Sequence, residues 1–520
     1  MFRIAPLALV LSLTPTNVLA QTAPQAPPAP PASNLVVPPT EEATQQKLVD
    51  LEKRLDAQER RATADREALS QQLAAFQAKV QARPSATPST PTSGTSPAPA
   101  APNSDYAPAK EAFAFSDFSW MPGNYGATKK PLQWGPFTGE LRVDSTYHFS
   151  FADPKDNTIS GSSEVFRHNE LQLTQLGFGG DFFYKNVQAR VMTQFGMYSQ
   201  TTPRNDASPS KGQWGLDNAY RYLSEAYGGY HFNVMHGINL QAGIFMSYVG
   251  LWSYYNFDNW TYQPSYVSSN TPWFFNGARA QIFPSKRLKI EPWFVNGWQS
   301  YGKFNEAPGV GVQIKWTPKD WLSLVGNQYF GTDTLGTPGR KRIHTDDSVM
   351  VKYYDKPGGA FSRAAASFTV DAGCEEGGGV TCAEQFFLGF MAYSRLWFLD
   401  NHVATTVGGG AITNPGRYLV LLPPINGTTA ASGTPYFTAA PGDSYKAYDL
   451  QLTVDYMPKP YFTARLELNH RAANVPYFSG RGGVTPPGGN QGAAGSMVDG
   501  WSPDLVNSEN RMTFAMMVKY

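Results

Sequence analysis

Charged residues of both signs recur at every second position along several stretches of this 520-residue chain. In the first stretch Glu140, Arg142 and Asp144 alternate with Leu141 and Val143. Because successive side chains of a β-strand point to opposite faces, the charged set shares one face, and that face cannot be lipid. On the wall of a water-filled pore, such charges would orient solutes and tune ion choice. The pattern predicts this pore-lining role for thirteen residues: Glu140, Arg142, Asp144, Arg190, Arg279, Lys289, Glu291, Lys315, Lys352, Asp371, Asp449, Arg465 and Glu467.

A purely structural role for these charges stays open. Neighbouring Arg and Glu side chains could pair with each other and only fill the wall, which would suit about half of the set.

Aromatic residues crowd one long connection, residues 250–272. Aromatic faces stack on sugar rings and on other planar or apolar solute surfaces, so this connection could recognise a carbohydrate or an aromatic solute. The alternative, to which we give equal weight, is a loop that packs on itself or at a subunit contact. The rings belong to Trp252, Tyr254, Tyr255, Phe257, Trp260, Tyr262 and Tyr266.

The chain has two cysteines, Cys374 and Cys382, which flank residues 375–381 in one predicted loop. In an exported chain such a pair predicts a disulfide that staples the loop. A metal site would need further soft ligands nearby, and none is evident, so we predict neither a metal nor a cofactor.

An enzymatic barrel is a further alternative, because a lipase or protease needs a nucleophile beside a histidine and a carboxylate. His148 and His168 could face one another across the first predicted hairpin, but neither lies near a recognisable nucleophile motif. We therefore predict no catalytic residues and no enzyme.

The elements that carry these residues are predicted β-strands. From Phe137 onward we count about sixteen segments of period two, an even number as expected for a bacterial outer-membrane barrel. Short turn-like connections alternate with long ones, as they do in such barrels. The last strand, residues 511–520, ends on the aromatic Tyr520. An amphipathic strand of a soluble sandwich could look similar, but a sandwich has no reason to separate its loops in this way.

The first twenty residues read as a secretory signal, with one positive charge before a short apolar run and Gln21 as the first mature residue. Beyond it no segment reaches about 18 consecutive apolar residues, which excludes a helical membrane protein. A mean hydropathy of −0.36 fits a barrel with a polar lumen, and a net charge of +1 gives no reason to expect a nucleic-acid partner.

Between signal and barrel the composition changes repeatedly. Residues 21–40 and 84–112 are Pro-rich linkers, and residues 113–136 form a pre-barrel segment ahead of the barrel at 137–520. Residues 41–83 carry a heptad pattern with several polar d positions, which predicts a marginal coiled coil or else a solvated single helix. In the periplasm this segment would join protomers into a homo-oligomer, with a trimer expected, or contact the cell wall.

Several motifs resemble those of the OmpL-like beta-barrel porin family. They are FSDFSWMPGN at 115–124, NELQLTQLG at 169–177, YGGYHF at 227–232, and ARLELNHR at 464–471 followed by NVPYF at 474–478. The resemblance covers roughly residues 113–520 and leaves out the coiled coil. It implies a pore in the outer membrane of a Gram-negative bacterium, with outer-membrane lipid and small solutes as its partners.

The predicted fold is thus an all-β transmembrane barrel preceded by a periplasmic coiled coil and Pro-rich linkers. The predicted function is passive diffusion of small hydrophilic solutes, sugar-like or aromatic ones among them. By analogy with general sixteen-stranded porins, the third external loop would form the constriction, through Trp252, Tyr254, Tyr255, Phe257 and Trp260. A surface adhesin or a structural barrel without transport is the alternative, and it would have a blocked lumen and no conductance.

Overall fold

The computed structural model describes residues 53, 105–108, 110–123, 132–418, 424–428 and 444–520. The predicted signal peptide at 1–20, the linker at 21–40, the coiled coil at 41–83 and most of the linker at 84–112 lie outside these residues, apart from Lys53.

Sixteen antiparallel strands close into one barrel in the described part of the chain, which confirms the predicted architecture. Each strand pairs with its neighbours in sequence, and the last strand pairs with the first, from Arg511 opposite Ser150 to Lys519 opposite Arg142. The strands are β1 Phe137–Ser150, β2 Glu170–Tyr184, β3 Val187–Thr193, β4 Leu223–Phe232, β5 Ile238–Met246, β6 Phe274–Ser285, β7 Leu288–Val295, β8 Gly309–Lys319, β9 Leu322–Gly331, β10 Lys341–Asp355, β11 Phe361–Glu376, β12 Phe386–Phe398, β13 Val403–Thr413, β14 Lys446–Lys459, β15 Phe462–Ala473 and β16 Ser508–Lys519.

The barrel wall exposes apolar side chains on its outer face and buries charged ones on its inner face, which is the reverse of a soluble protein. On β14 the apolar side chains of Leu450 and Leu452 are 60% and 44% exposed, whereas Asp449 and Asp455 on the other face are at most 1% exposed. A barrel in lipid needs this arrangement, because the outer face meets hydrocarbon and the inner face lines the lumen. The inner-face residues named below are those that alternate with exposed apolar ones.

The connections at one end of the barrel, here called the turn end, are short. Lys185 and Asn186 make the first of them, and both have positive φ, as tight hairpin turns require. The connections at the opposite loop end are long, which matches the predicted alternation. They are L1 151–169, L2 194–222, L3 247–273, L4 296–308, L5 332–340, L6 377–385, L7 414–445 and L8 474–507.

In the described residues from 105 onward, the helices are short and lie in the long loops. The α-helices are α1 Tyr198–Thr201 and α2 Leu216–Tyr220 in L2, and α3 Tyr266–Ser269 in L3. Among the described residues, none of the helices has the length and apolar character needed to cross a membrane. Two-residue strands lie at Gln133–Trp134, Phe478–Ser479 and Leu505–Val506.

Candidate pore and its inner wall

The third loop, L3, connects β5 to β6 and lies against the inner face of β14 and β15. The Glu467 carboxylate accepts the backbone N–H of Tyr262 at 2.6 Å and that of Gln263 at 2.9 Å. Asp449 accepts the Tyr266 N–H and the Ser265 hydroxyl, each at 2.8 Å. These two lumen carboxylates therefore satisfy four donors of the loop, three of them in the backbone.

A buried cation holds the backbone oxygens of the same loop. Arg465 donates to the carbonyl oxygens of Asn259 at 2.7 Å and Asn256 at 3.2 Å. Its guanidinium also pairs with Asp455 at 2.7 Å, and Arg395 pairs with the second oxygen of Asp455 at 2.7 Å. Asp455 therefore lies between two guanidinium groups and gives each of these buried cations an ion-pair partner.

Strands β1 and β16 hold the tip of L3. Asp258 of the loop pairs with Arg142 at 3.0 Å and with Lys519 at 2.8 Å. The guanidinium of Arg142 stacks on the Tyr255 ring at 3.8 Å. Asp144 accepts from the Tyr262 hydroxyl at 3.2 Å. The structure thus places five predicted pore-lining residues against L3: Arg142, Asp144, Asp449, Arg465 and Glu467.

The five aromatic residues predicted to form the constriction are all buried. Trp260 is fully enclosed, and its indole N–H donates to the Trp120 carbonyl oxygen at 3.1 Å. The Tyr255 hydroxyl donates to Glu225 at 2.8 Å. The Trp252 ring lies edge-on to Tyr393, with 4.9 Å between ring centres. Most of the ring surface in L3 therefore packs against protein, like Tyr254 and Phe257, which are 7% and 5% exposed.

Residues 110–123, here called the rim segment, approach L3 from the turn end. The Phe113 N–H donates to the Lys286 carbonyl oxygen at 2.9 Å, in the turn between β6 and β7. The Trp120 indole N–H donates to the Asp320 carbonyl oxygen at 3.2 Å, in the turn between β8 and β9. The segment reaches L3 where the Gly123 N–H donates to the Asp258 carbonyl oxygen at 2.8 Å. It therefore follows the barrel rim and then meets the loop.

Asp117 anchors the middle of the rim segment. It pairs with Arg363 at 3.3 Å, at the start of β11. Partial burial would raise the pKa of the Asp117 carboxyl, but hydrogen bonds from the backbone N–H and hydroxyl of Ser119 and the charge of Arg363 outweigh it, so that its pKa lies below its ordinary value.

The inner wall of β3 to β7 is different, because amide side chains span it. Gln188 donates to Asn239 at 2.7 Å and accepts from Gln241 at 2.7 Å. Asn239 donates to Gln281 at 3.0 Å. Gln188, Asn239 and Gln281 are partly exposed, unlike the charged residues beneath L3. This amide ladder leaves polar groups facing the lumen.

Charged residues continue the ladder on both sides. Arg190 bridges Glu140 at 3.1 Å, Asp181 at 3.2 Å and Glu225 at 2.7 Å. Arg279 donates to Gln241 at 2.8 Å. These contacts tie β1 to β4 and β5 to β6 through the lumen wall.

Arg279 lies in an aromatic cage on the same wall. Its guanidinium is 4.5 Å from the ring centre of Phe245 and 5.1 Å from those of Tyr227 and Trp293. It also pairs with Glu291 at 3.3 Å. Stacking and pairing together restrict this cation more than an exposed ion pair would.

Two further predicted pore-lining residues lie elsewhere on the wall. Lys352 pairs with Asp355 at 2.6 Å and with Asp320 at 3.7 Å, near the turn end. Asp371 lies 2.8 Å from the Nε2 atom of His344 and is buried. The thirteen residues therefore divide among separate clusters and do not form one ring of charges.

A disulfide joins Cys374 to Cys382. Strand β11 continues through Cys374, which is paired with Ile343 of β10 and Phe386 of β12, so this cysteine lies in a strand and not in the loop that we expected. Among the described residues, no group of three or more His, Cys, Asp or Glu side chains could hold a metal ion.

Sequence reasoning missed several residues of the wall. Asp455 and Arg395 occupy the same alternating inner positions as Asp449 and Arg465, so a stricter use of the period-two pattern would have found them. No sequence pattern predicted the contacts of the rim segment, because its apolar residues do not recur at a regular spacing.

A cavity of about 220 Å³ lies between the first half of L3, the end of the rim segment and the inner wall of β8 to β10. Its lining includes Trp252, Tyr254, Gln313, Lys315 and Met350.

Comparison with known proteins identifies the family. The family model described as "Putative beta-barrel porin-2, OmpL-like" matches residues 136–518. No curated protein matches the chain in sequence.

Several solved outer-membrane structures resemble the chain in fold. OmpT of Vibrio cholerae is 9% identical, with a TM-score of 0.42 over 75% of this chain and 99% of that one. An anion-selective porin from Comamonas acidovorans is 8% identical, with a TM-score of 0.42 over 74% and 99%. The outer membrane channel DcaP of Acinetobacter baumannii is 11% identical, with a TM-score of 0.40 over 74% and 96%. The family match spans most of the chain, and the chain therefore belongs to the OmpL-like beta-barrel porins, as a porin-like barrel of the outer membrane.

Proposed function

We propose that the barrel is a channel for passive diffusion of small hydrophilic solutes and that L3 forms its constriction. The observation that carries the proposal is the asymmetry of the inner wall. Ion pairs and several hydrogen bonds hold L3 on β14, β15, β16 and β1, and hydrogen bonds of Tyr248 and Tyr255 reach β4, β8 and β9. The amide ladder on β3, β5 and β6, in contrast, leaves partly exposed polar groups. Solutes would pass beside L3 along this polar wall, where amide groups can replace lost hydrogen bonds to water.

We extend the proposal to sugar-like or aromatic solutes through three rings of L3. Tyr248, Trp252 and Tyr254 line the 220 Å³ cavity, whereas Trp260 is fully enclosed by protein. Stacking of a planar solute would therefore take place at the cavity, since the other rings of the loop already pack against protein.

Planar-bilayer recordings of the purified full chain test the proposal. Replacing Trp252, Tyr255 and Trp260 together with Ala should raise single-channel conductance, because it removes bulk from L3, and should weaken block by a solute that stacks there. The matched control replaces Leu450, Leu452 and Val454 with Ala on the lipid face of β14. Unchanged conductance and block in a folded triple variant would contradict L3 as the constriction.

A structural barrel or surface adhesin is the second candidate. It is favoured by the contact between the rim segment and L3, where Trp120 and Trp260 meet and Gly123 bonds to Asp258. The same recordings discriminate between the two functions, since a structural barrel conducts neither with nor without residues 110–123.

We also propose that residues 41–83 lie in the periplasm and join protomers into a trimer. The heptad pattern supports association, and the polar d positions leave contact with the cell wall as the alternative.

A further inference from the structure

We propose that the 220 Å³ cavity beside L3 binds a small organic carboxylate that carries an aromatic ring. The proposal rests on the proposed channel function, because the ligand would reach the cavity through the channel. The residues around the cavity determine which kind of ligand can bind. Three observations support it: a lysine in the lining with no ion pair among the described residues, a local excess of positive charge, and aromatic residues in the same lining.

The lysine is Lys315, on the inner face of β8 between the outward residues Ile314 and Trp316. Among the residues that the structure describes, no carboxylate lies within ion-pair distance of its ammonium group, whereas Lys289 beside it pairs with Glu291. Its contact in the rim segment is the face of the Phe113 ring, 5.4 Å away. An ammonium group in this position favours an anion, because a carboxylate would supply the ion-pair partner that the described residues do not.

The surrounding wall strengthens this preference. The inner face of β6 to β8 carries three cations, Arg279, Lys289 and Lys315, and one carboxylate, Glu291. Lys289 and Lys315 are direct partners across β7 and β8. Glu291 is already engaged by Arg279 at 3.3 Å and by Lys289. Since one carboxylate cannot balance three cations, the wall of β6 to β8 has an excess positive charge that attracts anions. On β10 the Asp346 carboxylate is already engaged by Asn327 at 3.1 Å and by a backbone N–H of L3.

The rest of the lining selects for a ring. Trp252, Tyr254 and Tyr248 border the cavity together with the apolar side chains of Met121 and Met350. An apolar protein cavity of about 150 Å³ holds benzene, so about 220 Å³ accommodates a benzene ring with a carboxylate attached. The chemical class that satisfies both the cation and the aromatic lining is therefore an aryl carboxylate.

Binding of benzoate to the full-length barrel in detergent tests the site without any need for transport. Tryptophan fluorescence reports the binding, because Trp252 lines the cavity. We expect saturable binding of benzoate that weakens at least about tenfold in Lys315→Gln, as expected for loss of a charged hydrogen-bonding partner, and that survives in Lys315→Arg. Benzyl alcohol, the neutral analogue, should bind at least about tenfold more weakly than benzoate.

The matched control is Lys319→Gln, which removes a positive charge from the exposed end of the same strand and should leave benzoate binding unchanged. Equal affinity of benzoate for the parent and for folded Lys315→Gln, or equal affinity of benzoate and benzyl alcohol, would overturn the proposal. Bilayer recordings address the channel separately: a protein that binds benzoate but never conducts contradicts the proposed function and leaves the site in place.

Discussion

Replacing Glu467 with Ala is expected to loosen L3 from the inner wall of the barrel. The Glu467 carboxylate accepts two backbone N–H groups of L3, at 2.6 and 2.9 Å, and the hydroxyl of Thr453 at 2.9 Å. With alanine at this position both N–H groups lose a charged acceptor inside a closed site, where water replaces it poorly.

The magnitude follows from the two bonds to the loop. A hydrogen bond to a charged group contributes about 1.5–3 kcal/mol, so the variant lowers the preference for the attached loop by about 3–6 kcal/mol. This shifts the ratio of attached to detached loop by roughly two to four orders of magnitude. Asp449 and Arg465 still hold L3, so we expect the loop to leave the inner wall only briefly and not to detach completely.

Single-channel recording measures this loosening directly. The parent channel should carry a steady current, and Glu467→Ala should switch between two or more levels. Glu467→Gln keeps one acceptor oxygen and should switch less often. Leu466→Ala changes the neighbouring residue on the lipid face and serves as the control for general destabilisation. A folded Glu467→Ala barrel with current as steady as that of the parent would refute the inference that this carboxylate holds the loop.

Four further outcomes are expected. Deleting residues 512–520 should abolish the heat-modifiable band on gels, because β16 pairs with both β15 and β1 and so closes the barrel; a membrane-inserted truncation would contradict this. Deleting residues 21–104 should leave the barrel folded but weaken the oligomer in detergent, and an unchanged oligomer would assign that region to spacing or cell-wall contact. Arg279→Glu should shift reversal potentials in a salt gradient toward cation preference, with Arg279→Gln giving a smaller shift, because the new carboxylate adds to Glu291. Trp120→Ala should increase current noise, since it removes a fully buried ring and the indole N–H that donates to the Asp320 carbonyl oxygen; noise equal to that of the parent would argue against support of L3 by the rim segment.

The sequence by itself determined the barrel. Each strand of the barrel has lipid on its outer face and water on its inner face. Because successive side chains point to opposite faces, apolar and polar residues alternate along the strand. The alternation in β14 and β16 therefore showed which residues face lipid, and the alternation of short and long connections showed how the strands follow one another. These are local properties of the sequence, so they could be predicted from this sequence alone.

Only the tertiary structure decided what the inner residues do. Glu467 and Tyr262 are 205 positions apart, and closure of the barrel brings them to 2.6 Å. The same period-two pattern placed Glu467 and Arg279 on the inner wall, but one lies beneath L3 and the other is partly exposed. A strand's period specifies which face a side chain takes and carries no information about the path of a loop across the lumen. For that reason the sequence could name the charged residues of the wall, whereas their partners, the contact of the rim segment with L3 and the cavity beside Lys315 emerged from the folded barrel.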